Sequence, residues 1–215
     1  MNKFDNCALI VAHPDDEILW AGGFILSHSE ANWEVACLCR KDDLDRSKKF
    51  FKALKELHAE GQIGSLNDEP SQPPIGTKEV EETILMLLTK REYDLVITHS
   101  PKGEYTRHLR HEETGWAVLS LIEKEFLRVK ELWMFAYEDG GGKYYPRAIR
   151  NANLVFLLPE EIWMKKIKIV TEIYGFSLNS WEAKVTPKEE AFWQFSSINK
   201  AREKFGSYYE NSCDV

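Results

Sequence analysis

The chain has 215 residues, with Lys+Arg 28 against Asp+Glu 35 and a formal net charge of −7 at pH 7. That length suits one domain with a real core, and an acidic balance without a basic stripe argues against nucleic acid or an anionic membrane as partner. The apolar run at residues 6–12 is too short for a cleavable leader, no later run could span a bilayer, and the cysteines (Cys7, Cys37, Cys39, Cys213) form no CxxC, so a reduced, cytoplasmic protein is expected.

The first element is Cys7-Ala-Leu-Ile-Val-Ala-His13-Pro14-Asp15-Asp16-Glu17. Its apolar part has the length of a buried parallel strand, and Pro14 cannot continue a central ladder. The polar cluster therefore sits at a strand's carboxyl end, where open α/β sheets place ligand sites. Glu17–His28 has a helical mixture of apolar residues. Trp33–Cys39 reads as a second strand, with Cys37 and Cys39 facing the same way into the core. Arg46–Ala59 and Lys78–Arg91 are helices by their apolar spacing, through Phe50, Phe51, Leu54 and Leu57 in the first and Val80, Ile84, Leu87 and Leu88 in the second. The Asn67–Gly76 segment between them, rich in Pro, Ser and acids, reads as a surface connection. Asp94–His99 is another buried strand, Ser100–Arg107 its following loop, His111–Phe126 a helix, and Glu131–Ala136 the next strand. This alternation predicts right-handed βαβ units in an α/β fold, a Rossmann-like, mostly parallel sheet with helices on both faces. The character changes after Glu138. The glycines of Asp139–Lys143, the Asn153–Leu158 run, a helix near Glu160–Tyr174 and the Pro187–Phe205 stretch read as a C-terminal extension packed on the sheet. One domain over 1–215 is expected, with a motif-bearing core over 1–138 and the extension over 139–215.

Taken alone, Asp-Asp-Glu before an apolar helix is a cap whose acids complement the helix dipole. A second cluster changes the balance. His108-Leu-Arg-His111 puts two histidines at i, i+3 on a helix start, just after the loop following another strand. If the two strands are neighbours, His13, Asp16 and His111 converge on one ion. Two imidazoles and one carboxylate leave a fourth position open, the pattern of catalytic zinc, although iron or cobalt also accept such ligands. Asp15 and His108 are the spare groups, one in each cluster, and metal-assisted hydrolysis of an amide or ester fits them. Glu17 reads as a first-turn acid or a partner of the ligands, Asp94 as a turn or cap residue. His99 is equally a support for the site or a plain buried residue; His28 and His58 lie away from both clusters. Gly140–Gly142 lacks the GxxxxGK[ST] context of a phosphate cradle, and no GxGxxG follows the first strand. The C-terminal aromatics Trp163, Tyr174, Phe176, Trp181, Phe192, Trp193 and Phe195 are assigned to a core or subunit interface rather than to sugar stacking, which leaves a homo-oligomer open.

Ala12-His13-Pro14-Asp15-Asp16-Glu17, followed by Gly22-Gly23, resembles the signature of the PIG-L/LmbE-like N-acetylglucosaminyl deacetylases, and Gly103-Glu-Tyr-Thr-Arg-His108-Leu-Arg-His111 resembles that family's second motif. The resemblance spans roughly residues 6–135 in motif order and element alternation. It implies a Zn2+ cofactor held by His13, Asp16 and His111. Asp15 would be the general base, His108 the acid that stabilises the oxyanion, and Arg46 a substrate contact. The family's Thr-Asn/Asp-Gly after the second strand is replaced here by Cys39-Arg40-Lys41-Asp42. The implied reaction removes the N-acetyl group of an amino sugar or conjugate. The alternatives are another small-molecule amide, as in thiol or antibiotic metabolism, and a degenerate member that binds a sugar or metal without turnover.

Overall fold

The computed structural model describes residues 4–71 and 73–206; Cys213 lies outside the described residues. Strands β1 (Asn6–Val11), β2 (Asn32–Cys39), β3 (Ala59–Leu66), β4 (Glu92–Thr98) and β5 (Arg128–Phe135) alternate with helices α1 (Asp16–Ser27), α2 (Leu44–Glu56), α3 (Thr77–Leu87) and α4 (Leu109–Glu123). After β5 come a small ribbon, β6 (Tyr137–Glu138) with β7 (Arg147–Ala148), then β8 (Leu154–Leu157), α5 (Glu160–Lys168), α6 (Trp181–Val185), β9 (Glu189–Phe195) and α7 (Ile198–Phe205). The seven-stranded sheet runs β3-β2-β1-β4-β5-β9-β8, parallel through β5 and antiparallel at β9 and β8.

Side chains that alternate along β1 explain why both faces are covered. Cys7, Leu9 and Val11 join a core beneath α1 and α2, whereas Ala8 and Ile10 join the opposite core beneath α3, α4 and α7. The fold is thus the α/β sheet read from the sequence, and β1 pairs directly with β4 in parallel register, Ile10 opposite Thr98. Sequence order reverses at this pair, so the strand ends there form the crevice where doubly wound sheets bind ligands. The C-terminal segment packs α5 on α1 and also extends the sheet through β9 and β8.

Two local expectations fail for physical reasons. The Arg46–Ala59 helix ends at Glu56, and Ala59 opens β3, an edge strand whose two glycines and few apolar residues give a weak strand signal. A Cβ on Gly61 would lie 2.3 Å from the Val35 carbonyl oxygen, so the pairing itself requires glycine there. Cys37 and Cys39 do not share a face. A register shift between them turns Cys39 into the second core while Cys37 stays in the first.

The far end of α1 is fixed by Glu190, a fully buried β9 residue. Its carboxylate accepts from the Gly23 and Phe24 amides at 2.7 and 2.6 Å and pairs with buried Lys166 of α5 at 2.6 Å. Helix α1, whose first turn carries the acidic cluster, is thereby tied to both C-terminal elements.

Candidate metal centre

The polar residues after β1 and those of the loop after β4 meet at the switch point. β1 ends at Val11, Pro14 lies in the turn that follows, and Asp15 stands at the N-cap position of α1 with φ 115°, a conformation that costs a non-glycine residue strain energy. Glu17 holds that turn in place. Its carboxylate accepts from the Asp15 amide at 2.9 Å and from the Tyr174 hydroxyl at 2.5 Å, and burial pushes its pKa up to about 8. Helix α4 approaches the other loop so closely that a Cβ on Gly115 would lie 2.7 Å from the His99 carbonyl oxygen. That closeness brings His108 and His111 to the end of β1.

His13, Asp16 and His111 come together as the sequence suggested. His13 Nδ1 lies 3.2 Å from His111 Nε2, and Asp16 Oδ2 lies 3.3 Å from the first and 3.4 Å from the second. A tetrahedral ion with ligand bonds of about 2.0–2.1 Å has edges of about 3.3–3.4 Å, so the three atoms already have the spacing of one tetrahedral face. Wider groupings of potential donors, His13 with His108 and His111, and Asp16 with His99 and His111, overlap this triad. His99 is a weaker donor because its Nε2 accepts the Ala12 amide at 3.0 Å, which occupies the lone pair a metal would need.

Each donor is oriented from behind. Trp20 Nε1 donates to Asp16 Oδ1 at 2.9 Å and the His13 amide to Oδ2 at 2.8 Å, so that Oδ2 turns its second lone pair toward the two imidazoles. Burial alone would raise Asp16, but the His111 and His99 imidazoles outweigh it and hold the carboxyl well below its usual range. Glu104, fully enclosed, receives His99 Nδ1 at 2.9 Å and His111 Nδ1 at 2.6 Å on one oxygen, and the Ser100 amide at 3.0 Å on the other. A carboxylate behind a ligating histidine fixes its tautomer and makes the free nitrogen a better donor. Against its burial, the same histidines keep Glu104 low, at about 2. A cation suits this field of ionised carboxylates and imidazole lone pairs.

The Asn67–Gly76 segment is more than a surface connection. Arg110, buried on α4, donates to the Asn67 and Pro73 carbonyls and pairs with Glu113, drawing the segment over the site. Asp68 then lies 3.1 Å from His13 Nε2 and 2.5 Å from an Arg40 nitrogen, and despite partial burial these two neighbours hold its pKa down at about 2.

Asp15 lines the same cleft, about 460 Å³, with Arg46, His108, Tyr105 and Trp181. Burial and the neighbouring Asp16 raise its pKa to about 7, against the pull of Arg46 and His13. Arg46 Nη1 donates to Asp15 Oδ2 at 2.9 Å while its guanidinium lies over the Phe176 ring at 4.9 Å, so in this arrangement Arg46 serves Asp15 directly. His108 stands next to the triad, its ring centroid 4.4 Å from His13 and 4.6 Å from His111. Burial and those two imidazoles push its pKa down to about 3, so the environment favours the neutral ring over the protonated acid expected from the resemblance.

Glu104, Asp68, Arg110 and Tyr105 also serve the site and do not stand out in the sequence by type and spacing. Glu104 and Tyr105 lie inside the second motif and Arg110 between its histidines, which was the signal available. Asp68 had none beyond being acidic. Of the C-terminal aromatics, Phe192, Trp193 and Phe195 enter the core, whereas Trp181 lines the cleft.

Such a fold and motif arrangement is that of the LmbE-like deacetylases. The family model for PIG-L, GlcNAc-PI de-N-acetylase, matches residues 8–122, and the chain belongs to that family. An uncharacterized protein of Acanthamoeba polyphaga mimivirus is 21% identical over 178 residues, covering 75% of each chain. Among solved structures, the N,N'-diacetylchitobiose deacetylase from Pyrococcus horikoshii superposes with a TM-score of 0.66 at 14% identity, over 97% of this chain and 89% of that one. The 4-carboxy-2-hydroxymuconate hydratase from Pseudomonas putida KT2440 also superposes, with a TM-score of 0.56 at 15% identity, over 88% and 95% of the two chains. At these identities the likeness is one of fold, and the same fold carries both hydrolytic and hydratase chemistry. Among the described residues no helix is long and apolar enough to cross a membrane.

Proposed function

We propose that this protein is a zinc-dependent N-deacetylase that releases acetate from an N-acetylglucosamine-type amino sugar or its conjugate. The observation that carries the reading is the His13, Asp16 and His111 donor triangle, with edges of 3.2 to 3.4 Å, beside a carboxyl of raised pKa in the same cleft. When bound, zinc supplies Lewis acidity for a carbonyl oxygen and lowers the pKa of a water ligand to about 7.

The chain's own groups supply the rest. Asp15, held in its turn by Glu17 and steadied by Arg46, accepts a proton from the attacking water at the oxygen Arg46 does not engage, and returns it to the departing amine. His108 donates a ring N–H to the oxyanion as a neutral imidazole, the form its surroundings favour, and a neutral donor still stabilises developing negative charge. Glu104 keeps the His111 imidazole oriented, and Asp68 lies beside the outer nitrogen of His13. The buried free thiols of Cys7, Cys37 and Cys39 support a reducing, cytoplasmic setting.

A panel of N-acetylated sugars and conjugates, assayed with fluorescamine for new primary amines on zinc-loaded protein, tests the reading. Amine and acetate appearing in equal amounts from at least one acetamido sugar is the expected result. A fully loaded protein that releases neither from any of them, while hydrolysing an unrelated amide or hydrating an alkene acid, contradicts it.

A further inference from the structure

The family match ends at residue 122, yet a segment well beyond it reaches the turn that carries Asp15. Helix α5 runs directly into one wider, π-helical turn, Ile169–Ile173. The Tyr174 amide donates to the Ile169 carbonyl, five residues back, at 3.1 Å, and Gly175 follows with φ 77°. Single π turns of this kind are rare and concentrate at functional sites. Gly175, in the left-handed region that favours glycine, turns the chain so that the Tyr174 and Phe176 rings lie side by side. Their centroids are 6.0 Å apart and their planes 21° from parallel. One ring reaches Glu17, and the other lies beneath the Arg46 guanidinium.

Both contacts lead to Asp15. Its carbonyl accepts the Ile18 and Leu19 amides at 3.0 and 2.9 Å, as a helix start requires, and its amide donates to Glu17 Oε2 at 2.9 Å. With φ 115° between them, the turn is strained and needs both anchors. Glu17 is fully buried, and its other oxygen accepts the Tyr174 hydroxyl at 2.5 Å. Without that donor, Oε1 would be short of a hydrogen bond in a buried place, and the carboxylate would turn toward other donors. Asp16 keeps anchors of its own in Trp20 and the His13 amide, so the metal donors do not depend on this link.

We infer that Tyr174 is a positioning residue for Asp15, acting through Glu17 from outside the segment matched to the family. Phe176, beside it, seats the arginine that pairs with the same carboxyl. The inference rests on the deacetylase reading for the role of Asp15 as base, and it gives the C-terminal extension a part in the reaction.

Tyr174→Phe keeps the ring and removes one oxygen. The test compares zinc-loaded wild type, Tyr174→Phe, Asp15→Asn and the double variant on whichever acetamido sugar is turned over. Hydrogen exchange of the Asp15 amide, followed by NMR in wild type and Tyr174→Phe, adds a readout that needs no turnover. Tyr174→Phe should lose about three- to thirtyfold in kcat, the range of a hydrogen bond to a charged group passed on in part, with KM and zinc content unchanged. Its Asp15 amide should exchange about threefold faster or more. In the Asp15→Asn background the same change should cost nothing further, because residues that act as a unit are not additive. An unchanged kcat, an equal loss in both backgrounds, or loss of zinc overturns the inference. Unchanged exchange at the Asp15 amide overturns it whether or not any sugar is turned over. Faster exchange there, in a protein that releases acetate from no sugar, keeps the link from Tyr174 to Asp15 and overturns the deacetylase reading instead.

Discussion

Replacing Glu104 by Gln changes one atom in a fully enclosed residue and should loosen the metal centre. One Glu104 oxygen serves the Nδ1 groups of both His99 and His111, and the other serves the Ser100 amide. All three partners donate, which a carboxylate can satisfy and a carboxamide cannot. If the amide oxygen stays with the histidines, the NH2 group faces the Ser100 N–H. If it turns round, the NH2 group faces two ring N–H groups, and relief requires His111 to move its proton to Nε2, the nitrogen in the donor triangle. Either arrangement opposes metal binding. Loss of such a supporting carboxylate typically weakens a metal site ten- to a hundredfold, about 1.4–2.7 kcal/mol. Chelator-competition titration of zinc into metal-free wild type and Glu104→Gln measures this directly. A zinc affinity within threefold of wild type, in a variant with an unchanged far-ultraviolet spectrum, would refute the support assigned to Glu104.

Asp15→Asn should keep its zinc yet lose about 10²–10⁴-fold in turnover, whereas Asp16→Asn should lose zinc; the reverse zinc contents would exchange the two roles. His108→Ala should reduce kcat by about 10²–10³ with zinc retained, and His111→Ala should lose metal as well; equal zinc loss in both would make His108 a ligand. Asp15 can act as base only when ionised, and its pKa is raised to about 7 by burial and Asp16, so activity should fall as pH drops through the acid side of neutrality. A bound cation lowers that limb, and Arg46→Met, which removes the guanidinium that favours the carboxylate, should raise it; a limb shifted downward in Arg46→Met would contradict the pairing seen here. With His108 pushed down to about 3, no limb in the neutral range should disappear in His108→Ala.

Much of the sheet was legible because central parallel strands are short apolar runs that break at polar ends, as at Pro14 and Ser100. The adjacency of β1 and β4 followed from two chemical clusters needing one another. Edge strand β3 was not legible, since Gly61 and Gly64 stand where apolar residues would announce a strand. The facing of Cys39 was misread because a bulge breaks the two-residue period. In the site, residues that offer lone pairs stood out by type and spacing. Those that orient them did not, because Glu104 acts through contacts with residues five and seven positions away, and Asp68 reaches His13 only through a segment that Arg110 draws over. The neutral state of His108 also depends on neighbours brought together only by the fold.

The central claim is that the donor triangle holds a metal without which the amide bond is not cleaved. It is tested by zinc content and acetate release measured on one preparation as purified, after stripping with chelator, and after zinc is returned. The account predicts one zinc per chain, complete loss of acetate release on stripping, and recovery in proportion to the zinc restored. Acetate release that persists at full rate in metal-free protein would contradict it.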